Sequence, residues 1–257
     1  MAEDLQGLLD EAVHLTCRAG EMTLQWFRTA DLVVETKADD TPVTAADRAA
    51  ERFLREELES RHPGDGIVGE EEADRPGTSG RRWVVDPIDG TKAFTRGVPL
   101  YSTLLALLDE QGPLLGVIGL PALGEVIYAA RGLGCWCNGR PVRVIENAGS
   151  LAGAWVMTSG IETWTPSALA AVEDAGARLR TWGDAYGYAL VATGRVEAMV
   201  DPIAAIWDLA PMPVILSEAG GRFSSIGGED RPDGGSGIGS CGGRLHDELS
   251  ALLHACL

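Results

Sequence analysis

Trp83-Val84-Val85-Asp86-Pro87-Ile88-Asp89-Gly90-Thr91 joins a short apolar run to two aspartates separated by Pro-Ile. The run reads as a buried strand. Pro87 holds Asp86 extended and opens a turn that can bring two carboxylates round to one point beyond the strand's end. Gly90 lets the backbone approach a ligand closely, and Thr91 can cap the segment that follows. Two carboxylates beside free backbone N–H groups suit a hard divalent cation next to a bound anion. Taken alone, D-P-x-D reads first as an Asp-Pro turn with two solvated acids. This one does not stand alone.

Two further acidic clusters frame it. Upstream, Ile67-Val68-Gly69-Glu70-Glu71-Glu72 is another apolar run that ends in acids. Downstream, Ile206-Trp207-Asp208-Leu209-Ala210-Pro211 opens an apolar, helix-like segment that runs to Glu218-Ala219-Gly220-Gly221. In order and separation these pieces resemble the inositol monophosphatase family of metal-dependent phosphatases. Its pattern is G-E-E, then D-P-I/L-D-G-T, then W-D and a helix ending near E-A-G-G. The resemblance extends from the Lys37 region to the last helix. It implies an α/β fold, an α+β layered sandwich in which residues 1–257 form one domain. Its halves, roughly 1–150 and 151–257, would meet at the active cleft.

The pattern of residues around these motifs gives α/β without the layering. Leu5, Leu8, Leu9, Val13, Leu15, Leu24 and Phe27 predict a helix over about 4–28. Leu32-Val33-Val34 predicts a short strand, Asp39-Asp40-Thr41-Pro42 a turn, and Thr44 with Asp47 the start of a capped helix. His62-Pro63-Gly64 breaks that helix. Strands follow at 100–108, 114–120 and 125–130, and Asn138-Gly139 signals a hairpin, so the middle of the chain reads as an antiparallel meander. The second half alternates strands at 154–158, 178–182 and 196–200 with helices near 166–175 and 184–193. A helix opened by Asp208 comes next, in which Pro213 sits late. Strands near 222–225 and 237–240 and a helix over 245–255 end the pattern, with Gly227–Gly239 as a glycine-rich surface loop.

Composition narrows the partners. At 257 residues, 45% hydrophobic and 23% charged, the chain is globular and can bury a substantial core. Its 21 basic and 38 acidic residues leave a charge of −17, which argues against a nucleic-acid backbone or an anionic membrane. A small phosphorylated substrate stays open, because bound cations reverse the local field. Cys17, Cys135, Cys137, Cys241 and Cys256 are scattered, and no second pair or nearby histidine turns Cys135-Trp136-Cys137 into a metal site. They read as thiols in a reducing compartment. With no signal-peptide pattern and no apolar run of spanning length, the expected location is the cytoplasm.

Phosphate monoesters hydrolyse very slowly unaided, so a catalyst must neutralise phosphate charge and supply a nucleophile. Mg²⁺ does both, and it prefers carboxylate, carbonyl and water ligands. The resemblance implies that Glu70, Asp86 and the Ile88 carbonyl hold one ion and that Asp86, Asp89 and Asp208 hold a second. A third, weaker ion would sit near Glu70. It also implies that the N–H groups of Gly90 and Thr91 bind the phosphate, and that Thr91, paired with Asp47, orients the attacking water and takes its proton. Lys37 would lie near the metal-bound water. From the residues alone, Asp47 reads equally as the capping acid of its helix, and Lys37 as an exposed lysine at a strand end.

Leaving-group selectivity falls by resemblance to Gly183-Asp184-Ala185 and Asp201. Many inositol monophosphatases carry a small residue where this chain has Asp184, and a carboxylate there suits a cationic leaving group. Arg180-Thr181-Trp182-Gly183-Asp184-Ala185-Tyr186-Gly187-Tyr188 looks most like the histidinol-phosphate phosphatase branch, as does the stretch from Thr36 to Asp47. Asp184 reads alternatively as a helix N-cap. Inositol 1-phosphate and adenosine 3′-phosphates are the competing substrates, and a degenerate metal-binding regulator is the non-enzymatic alternative. No metal-linked position is lost, which speaks against that last reading. Family members are commonly homodimers, which the resemblance extends to this chain.

Overall fold

The computed structural model describes residues 5–30, 32–37, 41–146 and 149–256. Helix α1 (Leu5–Thr23) buries Leu8, Leu9, Ala12, Leu15 and Ala19, the stripe that helical spacing requires. It ends before the expected 28, because Phe27 leaves the helical line to pack on Phe94 and Tyr101. A short hairpin follows, with β1 (Val34–Thr36) antiparallel to β2 (Pro42–Thr44). β1 lies two residues beyond the predicted strand start; it is exposed, so hydrophobicity was no guide to its bounds. Asp39 and Asp40 of the predicted turn lie outside the described residues. Helix α2 (Ala45–Arg61) opens on the expected capping box, in which Thr44 Oγ1 accepts the Ala46 N–H and Asp47 Oδ2 accepts the Thr44 N–H.

The first half then builds a seven-stranded sheet in chain order. Its strands are β3 (Gly66–Gly69), β4 (Arg82–Asp89), β5 (Ser102–Asp109), β6 (Gly112–Leu120), β7 (Glu125–Ala130), β8 (Cys135–Cys137) and β9 (Arg140–Pro141). Short helix α3 (Thr91–Thr95) follows β4. Only β3 and β4 are parallel; the remainder is the antiparallel meander. Asn138 and Gly139 turn β8 into β9 with φ of 49° and 76°, the left-handed pair that a tight hairpin demands.

The second half contributes β10 (Trp155–Met157), α4 (Pro166–Asp174), β11 (Arg178–Arg180), α5 (Ala185–Ala192), β12 (Ala198–Asp201), α6 (Ile206–Leu209), α7 (Met212–Glu218), β13 (Arg222–Ser224), β14 (Gly237–Ser240) and α8 (Gly243–Cys256). Its five strands run β11-β10-β12-β14-β13, the first three parallel and the last two pairings antiparallel. The single helix expected from Asp208 is two short ones. Pro211 cannot donate to a continuing helix, so α7 restarts there and Pro213 falls in its first turn. The glycine-rich loop stops at Ser236, because β14 is paired on both sides and buried.

Five layers result. Helices α1 and α2 cover one face of the seven-stranded sheet, α5 and α7 lie between the sheets, and α4 and α8 cover the outer face of the five-stranded sheet. The middle layer is the largest core: Leu104, Ile118 and Ile127 from one sheet meet Met199 and Phe223 from the other around Tyr188, Ile215 and Leu216. Helix α5 is apolar all round because both its sides face a sheet. Its N-terminus meets the end of β4, where the Ala185 N–H bonds Asp89, and α6 brings Asp208 to within 4.8 Å of Asp86 and Asp89.

Candidate active site

β4 does not stop at Asp86, as the sequence suggested. It runs through Pro87 to Asp89, and its register against β5 shifts between Asp86↔Leu104 and Asp89↔Ser102. Two residues thus oppose one, a β-bulge. Pro87 makes no ladder donation there, and its carbonyl accepts the Thr103 hydroxyl at 2.9 Å. The bulge aims Asp86 and Asp89 at one point, where α6 delivers Asp208. Each of the three offers a carboxylate oxygen within 4.8 Å of the others.

These acids are short of neutralising partners. Asp86 Oδ1 is buried with no hydrogen bond. Asp89 Oδ2 accepts the Ser102 hydroxyl at 2.8 Å and the Ala185 N–H at 2.6 Å. Asp208 Oδ2 accepts the Ala205 N–H at 2.7 Å. Burial, then the neighbouring carboxylates, hold Asp86 and Asp89 well above the usual carboxylate range, and the same causes push Asp208 up to about 6. Glu70 follows β3 and is raised by burial, though Lys37 Nζ binds its Oε1 at 2.8 Å and Glu71 Oε1 at 2.6 Å. One ammonium cannot balance this set. All the donors are oxygens and one buried oxygen is orphaned, so the residues fit a hard divalent cation such as Mg²⁺.

Gly90 links β4 to α3 with φ of 81°, and Thr91 is the first helical residue rather than its cap. The expected Thr91–Asp47 pair is not made. The Thr91 hydroxyl donates to the Ile88 carbonyl at 3.0 Å, which spends its single proton. Asp47 Oδ2 takes the Thr44 N–H at 2.8 Å and the Thr44 hydroxyl at 2.6 Å, while Oδ1 stays buried and unpartnered. Burial pushes Asp47 up to about 6.

The second half contributes further acids beside Gly90 and Asp89. Asp184 stands at the N-cap position of α5 but makes no capping bond, which removes the helix-cap reading. Its backbone has φ 53° and ψ −157°, uncommon outside glycine. Its carboxylate faces Gly90 instead: a Cβ on that glycine would stand 2.8 Å from Asp184 Oδ2. Ala185 ties α5 to Asp89, as described. Asp201 ends β12, buried, with Oδ1 accepting the Ser159 hydroxyl at 2.6 Å. Burial pushes Asp201 up to about 7 against that hydrogen bond.

The family model of inositol monophosphatases matches residues 4–257. The chain belongs to the inositol monophosphatase family. It is therefore a metal-dependent phosphatase. Over 257 residues it is 42% identical to a histidinol-phosphatase of Chlorobaculum parvum, covering 98% of this chain and 97% of that one. A histidinol-phosphatase of Mycobacterium tuberculosis is 41% identical over 95% of this chain and 96% of its own. The solved IMPase of Thermotoga maritima, 32% identical, superposes with a TM-score of 0.86 over 97% of each chain.

Three supports of this inositol monophosphatase site were missed in the sequence. Glu51 Oε2 and Oε1 accept the N–H groups of Glu71 and Glu72 at 2.9 and 3.1 Å, while Arg55 binds Glu51 at 2.8 Å and the carbonyls of Glu72 and Ala73. This buried pair holds the acidic turn that presents Glu70. A signal existed: Glu51 falls one helical turn after Asp47 and one before Arg55, on the buried face of α2. Ser102 and Ser159 carried none, because a serine's partners are decided by tertiary contacts.

Proposed function

We propose that this phosphatase hydrolyses histidinol phosphate to histidinol and phosphate, a step of histidine biosynthesis in the cytoplasm. The observation that carries the reading is that Asp184 and Asp201 are joined through Ser159, with Asp184 facing Gly90, where the resemblance puts the leaving group. Two acids there suit a substrate that carries an ammonium and an imidazole, whereas a neutral polyol offers them only uncharged hydroxyl donors, which bind a carboxylate more weakly. The similarity to two relatives named histidinol-phosphatase supports it.

Glu70, Asp86, Asp89, Asp208 and the Ile88 carbonyl would hold two or three Mg²⁺ ions, with Asp86 belonging to more than one set. When bound, Mg²⁺ neutralises phosphoryl charge and makes water acidic enough to serve as nucleophile. The backbone N–H groups of Gly90 and Thr91 would hold phosphate oxygens where the chain leaves β4. The Thr91 hydroxyl would turn from the Ile88 carbonyl to the attacking water. Asp47, through its unpartnered oxygen, would receive the proton. Lys37 would lie near the metal-bound water, offsetting part of the charge of Glu70 and Glu71, to which it is bonded. Asp184, Ala185 and Asp201 would line the leaving-group pocket, and residues 1–257 would act as one unit, assembled as a homodimer.

Phosphate release with Mg²⁺ tests the substrate. Histidinol phosphate should exceed inositol 1-phosphate and adenosine 3′-phosphate in kcat/KM by at least about tenfold, or ~1.4 kcal/mol. A higher value for either competitor would replace this reading with that ester.

A further inference from the structure

Asp184 and Asp201 come from separate elements, and their separation decides whether one cation can meet both. Ser159, in the loop after β10, touches each. Its hydroxyl donates to Asp201 Oδ1 at 2.6 Å and accepts the Asp184 N–H at 2.8 Å. Its own N–H adds a longer bond to Asp201 Oδ1 at 3.3 Å. A hydroxyl has one proton and two lone pairs, so both roles are compatible. Both bonds to Asp201 fall on Oδ1, which leaves Oδ2 unused by Ser159.

The backbones are locked together at the same point. A Cβ on Gly183 would lie 2.2 Å from Ser159 Cα and 2.4 Å from its nitrogen, so the two loops touch with no side chain between them. Whatever moves residue 159 moves Asp184. The Asp184 backbone is in the left-handed region without a capping bond, so the Ser159 contact is what holds its amide.

We infer that Ser159 is a positioning residue for specificity, whose single hydroxyl sets the spacing of Asp184 and Asp201 and thereby the demand for a cationic leaving group. This rests on the reading of those acids as the leaving-group site. Ser159 meets no reacting atom; it acts through the two acids. Its bond also favours the charged form of Asp201, against the burial that raises that group.

The test measures kcat/KM for histidinol phosphate and for a neutral polyol phosphate, with Mg²⁺, in wild type, Ser159→Ala, Asp201→Asn and the double variant. Ser159→Ala should lower the value for histidinol phosphate by about 10- to 50-fold, mainly through KM, and that for the neutral ester by less than about threefold. On the Asp201→Asn background the added loss should shrink to a few-fold, because part of the route runs through that carboxylate. Ser159→Thr, which keeps the hydroxyl, should recover most of the selectivity, and this holds the test open if the alanine variant folds poorly. A wild type without preference for histidinol phosphate overturns both the substrate reading and this inference. A wild type that prefers it, with Ser159→Ala losing both esters equally or Ser159→Thr recovering nothing, leaves the substrate reading standing and makes Ser159 merely structural.

Discussion

The acids at the end of β4 and the acids around Ser159 are treated differently by the fold. Asp86, Asp89 and Asp208 are crowded to within 4.8 Å, with few donors among them and one buried oxygen left without any. Asp184 and Asp201 come from different elements and are linked by a hydroxyl and backbone N–H groups. Crowded like charges in a buried place either take up protons or attract something strongly positive, and a compact inorganic ion serves best for the second. Asp184 and Asp201 are raised by burial as well, but Asp201 keeps hydrogen-bond donors from Ser159, and an organic cation would favour the charged form of both. The first region fits a metal ion, and the second is the one proposed to meet the substrate's leaving group.

The comparison breaks most sharply at Asp89, which belongs to the first region yet accepts the N–H of Ala185 from the second. Asp89→Asn keeps the shape and removes one ligand charge. Turnover at low millimolar Mg²⁺ should fall by about a thousandfold or more, ~4 kcal/mol, with the circular dichroism of the fold unchanged. Wild-type-like turnover in the folded variant would take Asp89 out of the metal set.

Next in size is the support behind the metal side. Glu51 is fully buried and leans on Arg55, so Arg55→Met strands a charge in the interior. The expected destabilisation is about 3–5 kcal/mol, and the loosened turn at Glu70 should raise the Mg²⁺ concentration needed for half-maximal activity. The double variant Glu51→Leu/Arg55→Met should regain much of the stability without regaining the Mg²⁺ affinity. Calorimetric unfolding and a Mg²⁺ titration read the two effects separately. Recovery of both in the double variant would show that the pair serves stability alone.

Asp184→Asn addresses the other region. It removes charge with little change of size, and because the carboxylate makes no capping bond, the helix should not notice. A loss of about 1.5–3 kcal/mol in kcat/KM is expected for histidinol phosphate, with far less for a neutral ester. Equal losses on both would assign Asp184 a structural role.

The two regions were also unequally legible. Asp86, Ile88, Asp89, Gly90 and Thr91 lie in one run of chain, so local spacing carried most of their arrangement. Even so, the bulge that aims the carboxylates was hidden, since it depends on β5 and not on β4 alone. The link through Ser159 joins residues that are 25 and 42 positions apart, and no local pattern encodes it. The hydrogen bond expected between Thr91 and Asp47 is not made for a related reason: Asp47 bonds Thr44 and Thr91 bonds the Ile88 carbonyl. Helices α1, α2, α5 and α8 were readable because burial of one face, or of all faces, imposes its period. Where exposure removed that constraint, as in β1, the bounds were missed.

The smallest effect lies outside both regions and separates them from the fold's own response to pH. His246 on α8 is buried between the hydroxyls of Ser224 at 3.0 Å and Ser240 at 2.8 Å. Burial, with the Arg222 charge nearby, lowers it from 6.5 to about 4. Between those values the unfolded chain holds a proton that the folded chain does not, so stability is complete above about 6.5 and declines as the pH falls toward 4. Allowing for solvent screening, the loss is about 1–2 kcal/mol, or roughly 2–8 °C in Tm for a chain of this size. Asp201, raised to about 7 by burial, works the other way: its folded form takes up a proton first, which adds stability as the pH falls. A melting curve of the wild type alone therefore mixes the cleft with the fold. His246→Gln keeps hydrogen-bonding groups for both serines and cannot titrate. The Tm difference between wild type and variant should narrow as pH drops from 6.5 to 4, while whatever the cleft contributes cancels. A difference that stays constant over that window would mean that His246 binds its proton equally well in both states, and that the pH response of the protein lies with other groups.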